Sequence, residues 1–315
     1  MRRWFVGFLM VVCMGWMTMN AWSQQQTGEK IKVFAGILPA ATFVERVGGE
    51  RVDVDVLAGP GRDPHTFEPT PKLMAKLSQA AVLFKMGFPF EETLIKKVAN
   101  SAPKLEIVDL QQGIQLRRYT DAEIHREEGE HGHKHRHTHG KKHEHSHDAG
   151  DVDPHSWLDP LNVKIQAKTI AETLSRIDPA GASVYGQNLE RFQGELDALH
   201  QRLTKALEPV KGKKMYVFHP AYGYFGDRYG LIQTPIEMGG KEPSAKQLAK
   251  LIESAKTDGV KVIFVQPQFS SKSAQALAKA LGAAVVSLDD LSPRYVENLE
   301  EMAVKLEQAL SAQVQ

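Results

Sequence analysis

The sequence predicts an α/β protein of two lobes, each with a central, mostly parallel sheet flanked by helices, the two joined by one long rigid helix. Three observations carry this expectation. Short apolar runs alternate with helical stretches twice, from Ile31 and again from Lys214, the pattern of parallel sheets covered on both faces. Between the alternations, residues 182–207 hold one apolar stripe at helical spacing, as a packed amphipathic helix requires. A polar segment at 121–150 carries nine of the 13 histidines with only Ile124 as a large aliphatic, so it interrupts the first lobe without adding to a core.

Taken in order, residues 31–35 read as a strand and 40–47 as a helix stopped by Gly48-Gly49. Val52, Val54, Val56 and Leu57 make a second strand. A short helix at 72–79, a strand at 80–84, a helix at 91–99 and a strand at 105–110 complete the first alternation. Beyond the polar segment, 163–177 reads as a helix closed by Asp178-Pro179. The long helix follows. Leu189, Phe192, Leu196, Leu199, Leu203 and Leu207 recur three and four apart, and at about 1.5 Å per residue the helix spans about 39 Å, a strut between lobes. Pro209 and Gly212 end it. In the second lobe, 215–218 is a strand, 244–256 a helix with Ser244 as N-cap, 260–265 a strand, 273–281 a helix, 284–288 a strand and 295–310 a helix. The lobes thus cover about 30–180 and 210–315, with the connecting helix over 181–209.

Residues 1–23 read as a secretory signal peptide: Arg2 and Arg3, an apolar stretch, then Ala21-Trp22-Ser23 before a cleavage point at Gln24. The rival, a retained membrane anchor, fits less well because the apolar run is short and broken by Gly7, Gly15 and Thr18. The single cysteine, Cys13, lies in this leader behind Val12, and a lipid-modified cysteine would follow a small residue. Export to the periplasm with no stable membrane insertion after cleavage is therefore expected. The mature chain then has no disulfide and no thiolate metal site. Without the leader it holds 37 basic and 38 acidic groups, which excludes a general polyanion binder and argues against nucleic acid as a partner.

Four histidines lie outside residues 121–150: His65, His155, His200 and His219. His200 sits beside the stripe of the long helix and reads as a helix-surface residue. The other three stand in telling places. Asp63-Pro64-His65-Thr66-Phe67-Glu68-Pro69 and Asp153-Pro154-His155-Ser156-Trp157-Leu158-Asp159-Pro160 are near copies: Asp-Pro-His, hydroxyl, aromatic, then an acid and a proline. Prolines fix the backbone around each imidazole, and the nearby Asp and hydroxyl can orient the ring from behind. His219 directly follows the strand at 215–218, and Asp289 follows the strand at 284–288. Ligands of open α/β sheets bind beyond the carboxyl ends of strands. His65, His155, His219 and Asp289 can thus converge in a cleft between lobes, a donor set that suits tetrahedral Zn²⁺. Mn²⁺ prefers more oxygen. Asp290 rivals Asp289, and water can replace either.

At these residues the chain resembles the metal-binding receptors of ABC importers, the ZnuA-like zinc receptors and their manganese relatives, which include adhesin-type lipoproteins. The shared pieces are Asp63-Pro64-His65 with Phe67-Glu68-Pro69, His155 with Trp157-Leu158-Asp159-Pro160, Phe218-His219 to Tyr224-Phe225, Arg228-Tyr229-Gly230-Leu231, Glu242-Pro243-Ser244 and Leu288-Asp289. They run through residues 30–310 in family order; as an ensemble they are specific, although no single piece is. The resemblance implies two α/β lobes, a long connecting helix, little hinge motion, and one metal ion held between the lobes and handed to a membrane permease. It matches His65, His155 and His219 to three imidazole ligands and Asp289 to the carboxylate after the last strand. Manganese members usually carry Glu at the position of His219, so His219 favours zinc. One departure stands out: the family's more usual Asp-Pro-Leu-Gly is Asp289-Asp290-Leu291-Ser292 here.

His131, His133, His135, His137 and His139 alternate, and His143, His145 and His147 repeat the pattern. In extended backbone alternate residues point the same way, which makes these imidazoles an auxiliary metal-binding set. The segment is expected to be disordered without ligand. It can pass zinc to the cleft, buffer excess metal, or be a solvated insertion. The leading expectation is a monomeric periplasmic receptor that delivers Zn²⁺ to an ABC importer. The alternatives are a Mn²⁺ or Fe²⁺ receptor of the same fold and a zinc buffer using the histidine segment alone. A zinc hydrolase is disfavoured. The one His-Glu-x-x-His match, His143-Glu144-His145-Ser146-His147, lies in the polar segment and not on an apolar-patterned helix, His125-Arg126-Glu127-Glu128 does not fit, and there is no Gly-x-Ser-x-Gly elbow.

Overall fold

The computed structural model describes residues 29–123, 150–237, 241–269 and 272–312. The expected leader at 1–23 and most of the histidine segment lie outside the described residues.

The first sheet contains β1 (Ile31–Ile37), β2 (Val52–Ala58), β3 (Val82–Lys85) and β4 (Glu106–Asp109), in the order β2-β1-β3-β4. The second contains β5 (Lys214–Val217), β6 (Ile232–Pro235), β7 (Val262–Val265) and β8 (Ala284–Ser287), in the order β6-β5-β7-β8. Every pairing is parallel, and parallel strands require crossovers, here mostly helices. The two sheets therefore share one topology. In both, the first strand in chain order lies inside the sheet, and the loops after it and its neighbours open on the same edge. β1 shows why: from Val33 to Ile37 every residue is buried, the continuous apolar run of a strand covered on both faces.

The helices are α1 (Leu38–Gly48), α2 (Pro71–Leu77), α3 (Pro89–Val98), α4 (Pro160–Ile177), α5 (Ala182–Leu207), α6 (Gly223–Tyr229), α7 (Ala245–Thr257), α8 (Lys272–Leu281) and α9 (Tyr295–Ser311). Their starts follow from local chemistry. Thr70 accepts from the Leu73 amide ahead of Pro71, and Asp159 accepts from the Leu161 amide ahead of Pro160, caps that pair a side-chain acceptor with proline in the first turn. Ser244 and Gln247 form a capping box.

The long helix α5 has 26 residues, with Phe192, Leu196, Leu199, Leu203 and Leu207 buried along one face. It packs on α1, α4 and α9. α9 is last in sequence, yet its Tyr295 ring meets Phe43 of α1 edge-on at 4.9 Å and its hydroxyl donates to Trp157 O at 2.7 Å. One apolar core thus runs from the first sheet through α5 into α9, and a second, smaller core lies between the second sheet and α7 and α8. Two elements fall outside the expected list, α6 and β6. Glycines at 223 and 226 weaken the helical signal of α6. β6 is a four-residue edge strand that ends in proline and exposes 49% of Ile232, so it carries no alternation or apolar run.

Candidate metal centre

Each of the three singled-out histidines is held by a device of its own. His65 lies in the loop between β2 and α2. The Asp63 carboxylate accepts from the His65 amide at 2.8 Å and from the Thr66 hydroxyl at 2.9 Å, an Asx turn that proline between the two residues makes rigid. His155 repeats the device before α4: Asp153 Oδ1 accepts from the His155 amide at 3.0 Å. Here the same oxygen also meets the ring Nδ1 at 2.7 Å. His219 follows β5. Its amide donates to Gln266 Oε1 at 3.2 Å, and its carbonyl accepts from Gln266 Nε2 at 2.9 Å, so one side-chain amide just past β7 clamps its backbone. Its Nδ1 meets Glu237 Oε1 at 2.8 Å.

The three rings converge. The Nε2 atoms are 3.2 Å apart for His65 and His155, 3.1 Å for His65 and His219, and 3.2 Å for His155 and His219. All three residues are buried, and among the described residues they form the one group of possible ligands close enough to share an ion. The spacing matches the chemistry. Nitrogens at about 2.0–2.1 Å from a tetrahedral Zn²⁺ lie about 3.3 Å from one another. The tautomers match too. An ionised carboxylate only accepts, so the Nδ1 of His155 and of His219 carries the proton and Nε2 presents a lone pair. Converging lone pairs repel one another, and a cation between them turns that repulsion into coordination. Aromatic rings wall the group: Phe88 meets His65 edge-on at 5.1 Å, Trp157 lies 5.2 Å from His155, and Phe269 stacks on His219 at 4.7 Å.

Burial acts on both His155 and His219, with different outcomes. It pushes the His155 imidazole below its ordinary value, against the pull of Asp153. It acts likewise on His219, but the Glu237 carboxylate outweighs it and holds that imidazole above its ordinary value. Asp289, expected beside the histidines, is not in the converging group. Its carboxylate accepts from Gln268 Nε2 at 2.7 Å and from the Leu291 amide at 3.1 Å. Asp290 is more deeply buried, with Oδ1 lacking a hydrogen-bond partner. Burial pushes its carboxyl up to about 7, against the influence of His219.

His200 stands apart from the cluster on α5, with Nδ1 3.3 Å from the Tyr229 hydroxyl. His131, His133, His135, His137, His139, His143, His145 and His147 lie outside the described residues. The flanks of that segment are described. Around an antiparallel bridge of Arg118 and Val152, the Tyr119 amide donates to Asp151 O and its carbonyl accepts from the Gly150 amide, while the Asp153 amide donates to Arg117 O. Beside them Arg117 pairs with Glu123, with Asp153 at 3.3 Å and with Asp227 of α6 at 3.0 Å. Glu237, Gln266 and Arg117 were not singled out from the sequence. Each reaches the centre across a long stretch of chain, and no local pattern marks them.

Comparison with known proteins places this geometry. The family described as zinc-uptake complex component A, periplasmic, matches residues 33–309. The high-affinity zinc uptake system protein ZnuA of Bacillus subtilis is 33% identical over 273 residues, covering 85% of this chain and 81% of that protein. The ZnuA of Paracoccus denitrificans is 34% identical over 253 residues, covering 76% and 77%. A crystal structure of ZnuA superposes with a TM-score of 0.77 at 35% identity, covering 90% of this chain and all of that one. A ZnuA deletion mutant with zinc bound superposes at 0.76, also at 35% identity, covering 89% and 98%.

Proposed function

This chain belongs to the periplasmic zinc-uptake component A family, and from that premise we propose that it captures one Zn²⁺ between its lobes and delivers it to an ABC importer. Receptors of this family work with a membrane permease; they are solute-binding proteins, not enzymes. The observation that carries the reading is the convergence of three buried Nε2 atoms at 3.1–3.2 Å. An all-nitrogen triad favours Zn²⁺ over the oxygen-preferring Mn²⁺. His65 and His155 come from the first lobe and His219 from the second, so the ion bridges the lobes.

The fourth donor comes from the Asp289-Asp290 pair that follows β8. Asp290 is favoured over Asp289 because its Oδ1 is unpartnered, whereas Asp289 already accepts from Gln268 and Leu291. A carboxylate in this place closes the coordination shell, which suits carriage rather than catalysis. Among the described residues no helix is long and apolar enough to cross a membrane. Export through the 1–23 leader and action as a monomer belong to the same proposal.

Competition titration against a chelator tests the reading. One Zn²⁺ should bind tightly per chain, and excess Mn²⁺ should fail to displace it. Displacement by equimolar Mn²⁺ would make this a manganese receptor of the same fold.

A further inference from the structure

The second lobe contributes one histidine, and the strand pairing beside it explains how that histidine is aimed. β5 and β6 pair in parallel with Lys214 opposite Ile232 and Val217 opposite Pro235, a constant offset. Continued two residues past the strands, the register sets His219 alongside Glu237. The backbone follows it: the Ile236 amide donates to Val217 O at 2.8 Å and the Glu237 amide to Phe218 O at 3.1 Å. The Glu237 side chain then reaches His219 Nδ1 at 2.8 Å, with both residues buried.

We propose that Glu237 is a positioning residue for the cargo ion, acting through His219. The inference rests on the zinc-receptor reading given above. Glu237 does two things. Its carboxylate can only accept, so it fixes the His219 proton on Nδ1 and directs the Nε2 lone pair toward His65 and His155. It also brings a negative charge into a buried site whose histidine donors are neutral. With Asp153 behind His155, it places a buried carboxylate behind two of the three rings. Outer carboxylates of this kind orient a ligating imidazole and raise its basicity.

The test uses the full mature chain with Zn²⁺ for affinity and Co²⁺ as a spectroscopic probe. Glu237→Ala should weaken Zn²⁺ binding by about 10–100-fold. It should also alter the visible Co²⁺ absorption, because His219 is no longer held in register, and broaden the apo ¹⁵N signature of His219 into both tautomers. Glu237→Gln should fall between Ala and wild type, since the amide oxygen still accepts from Nδ1 but carries no charge. A purely structural role would lower the apo melting temperature and leave the Co²⁺ spectrum unchanged. If Glu237→Ala does not fold, Glu237→Gln decides alone, on affinity and tautomer. Wild-type affinity and an unchanged Co²⁺ spectrum in the folded variants would overturn the inference. If His219→Ala loses zinc in the same experiment, the receptor reading stands while this inference falls. A wild-type chain that binds no zinc sinks the reading itself.

Discussion

His155 and His219 face each other across the centre, and each passes its Nδ1 to a buried carboxylate, at 2.7 and 2.8 Å. They nevertheless shift in opposite directions, His155 downward and His219 upward. Both rings lose hydration, so burial alone does not separate them. What differs is the surrounding charge. Asp153 is shared with the Arg117 guanidinium, and His155 also feels His219 as an opposing neighbour. His219 has Glu237, with Asp290 and Asp63 adding to it. A hydrogen-bonded carboxylate fixes which nitrogen carries the proton. The wider field decides how readily Nε2 takes up a second proton, and so how strongly protons compete with a metal there.

The comparison breaks most completely if either ring is removed. His155→Ala and His219→Ala should each weaken Zn²⁺ binding by more than the 10–100-fold typical of outer residues, since each deletes a donor atom. Chelator competition reads the loss, and a variant within about threefold of wild type would remove that histidine from the ligand set. Arg117→Ala comes next. It leaves Asp153, Glu123 and Asp227 without their shared cation, and breaking such a pair costs about 3 kcal/mol. The apo melting temperature should fall, and zinc affinity should drop less than in the histidine variants, because Asp153 still holds the ring of His155. An unchanged melting temperature would show that the Arg117 contacts carry little.

The smallest effect is on pH dependence, and its sign differs between the two rings. His155, lowered, favours the folded state while neutral. That contribution is present above the unfolded value of about 6.5 and is lost as pH falls through its folded value. His219, raised, contributes below about 6.5, and its share is lost as pH rises through its higher folded value. Zinc must displace the second proton that the imidazolium carries on Nε2, and the raised value of His219 makes affinity begin to decline above about pH 6.5 on acidification. A decline that starts only below about pH 6 would show that the Glu237 charge does not stabilise the His219 imidazolium.

The contrast also explains which parts of the centre were legible in the sequence. Asp153 lies two residues before His155, so the Asp-Pro-His copies displayed both a ligand and its orienting acid. Glu237 lies 18 residues beyond His219 and becomes visible only through the β5–β6 register, yet β6 was the strand whose short, proline-ended, exposed sequence gave no signal. Arg117 is further removed: its contacts to Asp153 and Asp227 span 36 and 110 positions. The strands and helices with apolar runs or caps were readable, and α5 matched its expected limits at Ala182 and Leu207. The sharing of one core between the first sheet and α9 was not readable, because nothing near Tyr295 marks Phe43 and Trp157 as its neighbours. Asp289 was chosen for its place after the last strand; the hydrogen bonds that engage it come from Gln268 and Leu291, contacts that strand position alone does not reveal.

The central claim is that the three histidines at the lobe junction, and not the histidine segment, form the receptor site. It is tested most directly by joining Glu123 to Gly150 through a short linker and titrating the product with Zn²⁺ against a chelator, alongside the same chain carrying His219→Ala. The account predicts one tightly bound ion in the shortened chain and loss of most of that affinity in the variant. Loss of tight binding on shortening alone would contradict it and make the segment the principal zinc site.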